Sequence, residues 1–120
     1  MDGSVTHWRL ERDEEGIAWL ALDHALSATN VLSTEVLEQL EVVLDQLESD
    51  PPRGLVLHSA KSTGFIAGAD VNEIARVEDY DSALGLVRRV QALFDRLEAV
   101  AYPTVAAISG FCLGGGLELA

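Results

Sequence analysis

Three short apolar runs, GIAWLALDH (16–24), GLVLHSA (54–60) and TVAAISG (104–110), divide the chain, each flanked by turn-forming residues. Runs of this length, rich in aliphatic and branched side chains, read as buried β-strands. Between the first two lies SATNVLSTEVLEQLEVVLDQLESDPP. There Leu37, Leu40, Leu44 and Leu47 recur three or four residues apart, while Glu38, Glu41, Asp45 and Glu48 fall off that stripe, which predicts an amphipathic helix. Ser33 is its expected N-cap and Pro51-Pro52 its stop. A second helix is predicted over about 82–99, with Leu86, Val90, Leu93 and Leu97 on one side and Pro103 beyond it. KSTGFIAGAD reads as a loop leading to a short helix that begins near Asp70, and LELA as the first turn of a further helix. Strands alternating with helices in this order predict an α/β fold with parallel pairing.

Composition narrows the function. Hydrophobic residues make up 48% of the 120, enough to require a core. The net charge of −12, from 20 acids against 8 bases, argues against nucleic acid as a partner, since phosphate binding needs clustered Lys and Arg. A phosphorylated ligand would have to rely on backbone N–H groups, helix N-termini or a few local cations. A single cysteine, Cys112, excludes an internal disulfide and a multi-cysteine zinc site, so no metal is expected. The opening MDGSVTHWRLERDEEG is polar and acidic without a signal-like apolar region, and no run approaches the length of a membrane span. A cytoplasmic setting is the expectation.

Two turns carry residues suited to chemistry. In GFIAGADVNEIA the chain passes Gly68 into Asp70-x-x-Glu73, the pattern of an acidic capping box. Free N–H groups at such a start favour negative charge, and the amide of Ala69 is placed to donate outward. A well-capped helix without further role fits the same residues. In SGFCLGGGLELA, Gly114 to Gly116 permit positive φ and close backbone approach at a second helix start, and Glu118 falls within its first turn. Glu118 fits equally an acid placed there by the helix dipole. Together, two amide-donating turns that each follow a buried strand fit an oxyanion hole for a thioester carbonyl, with a carboxylate nearby to move a proton or activate water.

GFIAGADVNEI, followed about forty residues later by AYPTVAAISGFCLGGGLELA, resembles the enoyl-CoA hydratase/isomerase (crotonase) superfamily, and NVLSTEVLEQL fits that family's early segment. The likeness is strongest to the N-terminal hydratase domain of multifunctional fatty-acid oxidation α-subunits. It implies the N-terminal part of a crotonase-like spiral of ββα units that binds acyl-CoA. Ala69 and Gly115 match the oxyanion-hole amides, and Glu118 matches one of two catalytic glutamates, the one that positions or deprotonates the attacking water. Ile66, Ala67, Gly68, Ala69, Asp70, Gly114 and Gly115 match positions along the CoA substrate, with Asp70 usually structural. No cofactor is implied, because the CoA thioester is itself the substrate.

The family's second glutamate lies further along than Ala120, so residues 1–120 are expected to form a partial domain truncated at its C-terminal end. A homotrimer or a fatty-acid oxidation complex is the assembly implied for a full-length parent. Because Glu118 is present, the favoured reaction is syn hydration of a trans-2-enoyl-CoA. The alternatives are double-bond isomerisation or a non-catalytic remnant that binds acyl-CoA or a partner. A dinucleotide-binding unit fails on order, since its glycine turn follows the first strand rather than the last.

The remaining reactive side chains have plainer readings. Cys112 fits a small buried thiol, and His7, His24 and His58 share no metal spacing and fit a surface or strand-end assortment. Lys61, the sole lysine, fits a solvated loop, and Arg88 and Arg89 fit partners for the acids of their own helix.

Overall fold

The computed structural model describes residues 5–70, 73 and 78–120. Two strands open it. β1 (Trp8–Arg12) runs antiparallel to β2 (Ile17–Leu22), with Trp8 opposite Leu22 and Arg12 opposite Ala18. The turn between them is closed by the Asp13 carboxylate, which accepts from the N–H groups of Glu15 and Ile17 at 2.9 and 3.0 Å. β1 was not expected from its polar composition. It forms because Trp8 and Leu10 point one way and Arg9 and Glu11 the other, so one face of an outer strand is enough to dock it. Trp8 is buried, and its indole N–H donates to the Val36 carbonyl at 2.9 Å.

β2 then pairs in parallel with β3 (Gly54–Ser59), and β3 in parallel with β5 (Thr104–Ala107), giving a four-stranded sheet in the order β1-β2-β3-β5. A second, two-stranded parallel sheet joins β4 (Gly64–Ile66) to β6 (Phe111–Cys112). The units β3-β4 and β5-β6 therefore repeat one pattern. Each crosses from the first sheet to the second and is followed by a helix, α2 (Tyr80–Glu98) in one case and α3 (Gly115–Leu119) in the other. This is the expected spiral of ββα units, with parallel pairing between successive turns.

α1 (Thr34–Ser49) begins where expected, with Ser33 Oγ accepting from Val36 N–H, and stops just before Pro51. Its buried face is Val36, Leu37, Leu40, Val43, Leu44 and Leu47, which pack with Leu20, Leu22, Leu55, Leu57, Phe65 and Ile66 into one core. α2 is capped by Asp79 and buries Leu93 and Leu97, while the rest of its stripe is only partly covered.

Two expectations are corrected, and a third falls largely outside the described residues. The run 104–110 is not a buried strand. Its extended part is Thr104–Ala107 at the sheet edge, with Val105 58% exposed and Ile108 47% exposed. An edge position leaves both faces short of neighbours, so apolar composition alone does not bury it. KSTGFIAGAD is not simply a loop, because it contains β4, all three of whose residues are buried. The short helix expected near Asp70 lies, apart from the helical Glu73, outside the described residues. Among the described residues no helix is long and apolar enough to cross a membrane.

Candidate active site

The two turns singled out in the sequence lie against each other. β4 and β6 are paired, so the segments that leave them, Ala67–Ala69 and Leu113–Gly115, emerge side by side. Leu113 N–H donates to the Ile66 carbonyl at 3.0 Å and closes the pair. A methyl group placed on Gly115 would lie 3.9 Å from the Ala69 nitrogen, and one on Gly68 would lie 4.0 Å from the Gly115 nitrogen. Gly68 has φ of 131°, a conformation that side-chain-bearing residues avoid. Gly116 is required for a different reason. A Cβ there would come within 2.6 Å of Ile66 Cβ and 2.8 Å of its carbonyl, so only glycine lets α3 start against β4.

The orientation of the amides follows from the hydrogen bonds around them. Gly68 C=O accepts from Leu32 N–H at 2.7 Å, and in a trans peptide that turns the Ala69 N–H the opposite way, outward at an exposed residue. Gly114 C=O accepts from the N–H groups of Leu117 and Glu118 at 3.1 and 3.2 Å, so the Gly115 N–H points out of the start of α3. Neither the Ala69 N–H nor the Gly115 N–H donates to another described residue. Two neighbouring unpartnered amides, one from each turn, form a pair of donors that a carbonyl oxygen fits.

The other predicted residues are placed less uniformly. Ile66 is fully buried with its carbonyl used by Leu113, and Ala67 N–H donates to the Asn30 carbonyl at 2.9 Å. Glu118 is exposed on α3, in a groove of about 470 Å³ bounded by Phe94, Asp95, Glu98, Thr104 and Leu119. The described lining of that groove does not include Ala69 or Gly115.

Glu73 of the expected capping box also reaches across to α1. The Glu73 carboxylate accepts from both the N–H and the hydroxyl of Thr34, each at 2.8 Å, and so caps α1. Glu73 N–H does donate to the Asp70 carbonyl, at 3.1 Å.

Three plainer readings also change, the first only in part. His7 and His24 do lie at the ends of β1 and β2, but they are buried rather than on the surface, their rings tilted by 37° with centroids 4.4 Å apart. Burial, and after it the charges of His7 and Lys61, hold His24 below its ordinary 6.5, with Asp70 and Glu35 opposing. Lys61 is not a solvated loop lysine, since its ammonium binds Asp23 at 2.8 Å with the side chain 14% exposed. That contact, the largest cause, keeps the Asp23 carboxyl below its usual range, with Arg9 adding to it. Arg89 pairs with Glu38 and Glu41, which belong to α1 and not to its own helix. Among the described residues no group of His, Cys, Asp and Glu is arranged to hold a metal ion.

Asn30 carried no role in the sequence reading, where it only opened the segment NVLSTEVLEQL. It is 1% exposed and makes contacts to the ends of β2, β3 and β4, and the only sequence signal was an asparagine just ahead of an apolar helix.

Known proteins resemble this chain in sequence and in fold. The family model for enoyl-CoA hydratase/isomerase matches residues 12–120. The fatty acid oxidation complex subunit alpha of Aliivibrio fischeri is 46% identical over 111 residues, covering 91% of this chain and 16% of that protein. Its counterpart in Idiomarina loihiensis is 43% identical over 112 residues, covering 92% of this chain and 16% of that protein. Among solved structures, an enoyl-CoA hydratase from Bacillus anthracis superposes with a TM-score of 0.84 at 29% identity, over 95% of this chain and 44% of that one. An enoyl-CoA hydratase/carnithine racemase from Magnetospirillum magneticum gives 0.86 at 28%, over 98% and 44%. The chain belongs to the enoyl-CoA hydratase/isomerase family, and its ββα spiral is part of the crotonase fold. It spans 16% of the length of these curated relatives and 44% of these solved chains.

Proposed function

We propose that this chain carries the thioester-binding half of an enoyl-CoA hydratase site, which adds water in syn fashion to a trans-2-enoyl-CoA in fatty-acid β-oxidation. The observation that supports it most is the pair of neighbouring N–H groups at Ala69 and Gly115 that donate to no other described residue. Bound between them, the thioester oxygen gains two hydrogen bonds that strengthen as it becomes negative, and each such donor is worth about 10²–10³ in rate. Glu118 takes a proton from water as the water oxygen bonds to C3. The C2–C3 π pair moves toward the carbonyl, which becomes an enolate. A proton then returns to C2 and the carbonyl re-forms, so water is added without oxidation or reduction. No cofactor enters this scheme, since the coenzyme is part of the substrate. In the relatives' setting the partners are acyl-CoA and the other parts of a fatty acid oxidation complex.

Adding a trans-2-enoyl-CoA to the protein and following loss of its conjugated-enoyl absorbance tests this reading. Hydration is expected, and Glu118→Gln should slow it by about 10²-fold or more. An unchanged rate in that variant would remove Glu118 from the chemistry.

A second reading, acyl-CoA binding without turnover, has its own support in the position of Glu118, whose groove does not include the amides. Saturable binding of the enoyl-CoA with no loss of absorbance would favour it.

A further inference from the structure

We propose that Asn30 is a positioning residue that aims the Ala69 N–H, an inference that rests on the thioester reading above. Its side chain is almost wholly buried and joins three strand ends. Asn30 Oδ1 accepts from His24 N–H at 3.0 Å, just past β2. Asn30 Nδ2 lies within hydrogen-bond distance of the Leu22 carbonyl (3.1 Å), the Ser59 hydroxyl (2.9 Å) and the Phe65 carbonyl (3.0 Å). The first two anchor it to the four-stranded sheet, and the third grips β4 one residue before its end.

From there the backbone carries the alignment forward. Ala67 N–H donates to the Asn30 carbonyl and Leu32 N–H to the Gly68 carbonyl, the latter at 2.7 Å. Leu32 and Ala69 are bridged in parallel. Phe65, Ala67 and Gly68 are thus tied in succession to residues 30–32, which Asn30 fixes to the central sheet. The Gly68 carbonyl and the Ala69 N–H belong to one rigid peptide, so the direction of the first sets the direction of the second. Releasing the Asn30 amide frees the Phe65 carbonyl, and the ladder that orients the Gly68–Ala69 peptide loses its anchor. A donor tilted away from its acceptor loses strength steeply with angle, so the effect appears on the bound carbonyl rather than on overall affinity.

The test uses a cinnamoyl-CoA thioester, whose absorption moves to longer wavelength as its carbonyl is polarised. With the unaltered protein at saturation a red shift is expected. Asn30→Asp keeps the size and the acceptor for His24 but removes the amide donors, and it should lose at least half of that shift while still binding the thioester. Ser59→Ala removes one of the three acceptors and should lose a smaller part. It serves alone if the first variant does not fold. A purely structural Asn30 would lower the melting temperature and leave the shift of the bound thioester intact. A full red shift in Asn30→Asp at saturation, or in Ser59→Ala where only that variant folds, overturns the positioning role. No red shift with the unaltered protein instead overturns the thioester reading itself, and this inference falls with it.

Discussion

At the scale of single residues, buried polar groups do most to define this molecule. His24 illustrates the energetic side. Burial first, then the charges of His7 and Lys61, hold its folded pKa below the ordinary 6.5, against the pull of Asp70 and Glu35. The unfolded chain therefore binds a proton more readily than the folded one. Stability contributed by neutral His24 is fully present above about 6.5 and falls as pH drops through that value. A melting temperature that declines as the pH drops below about 6.5 is expected, with a flatter profile in His24→Gln. Asp23 is held low chiefly by Lys61, and Asp13 and Asp79 by Trp19 and by Ser82, so their contributions fade only at lower pH. An identical slope in His24→Gln would move the cause elsewhere. The two turns that carry the candidate residues stood out in the sequence because a run of glycines meets a helix start there, a pattern that a plain helix cap fits as well. Asn30 was not, since its role depends on three strand ends that meet only after folding.

Among the elements, α1 and the two parallel strands beneath it carry the core, and the prediction at this scale is a contrast. Leu40 is fully buried on the α1 stripe, so Leu40→Ala should cost about 2–5 kcal/mol in urea unfolding. Arg96 meets Asp45 and Glu48 at 2.7 and 3.1 Å, but those carboxylates are 69% and 78% exposed. Arg96→Ala should cost less than about 1 kcal/mol, because water and salt screen such pairs. Equal losses would mean that the α1–α2 contact holds the fold more than the leucine stripe does. α1 and α2 were legible because a periodic apolar stripe survives any tertiary context. β4 and β6 were not, being three and two residues long and made where backbones close on each other across Gly64 and Gly110. The burial of β5 was over-read, since a strand's position in the sheet order is absent from its own composition.

For the whole molecule, the repeat of strand, strand and helix gives the functional logic. Successive units set β4 beside β6, and that adjacency delivers two glycine-containing turns from distant parts of the chain to one place. In the function proposed above, the Ala69 and Gly115 amides jointly grip a thioester oxygen. Amide proton NMR on the isotopically labelled protein tests it most directly, by titration with butanoyl-CoA, a saturated thioester with no double bond to hydrate. The account predicts that the Ala69 and Gly115 amide protons move downfield together, along one saturation curve, as both gain a hydrogen bond to the carbonyl. Saturable binding that leaves both amides unmoved, or shifts only one of them, would contradict it.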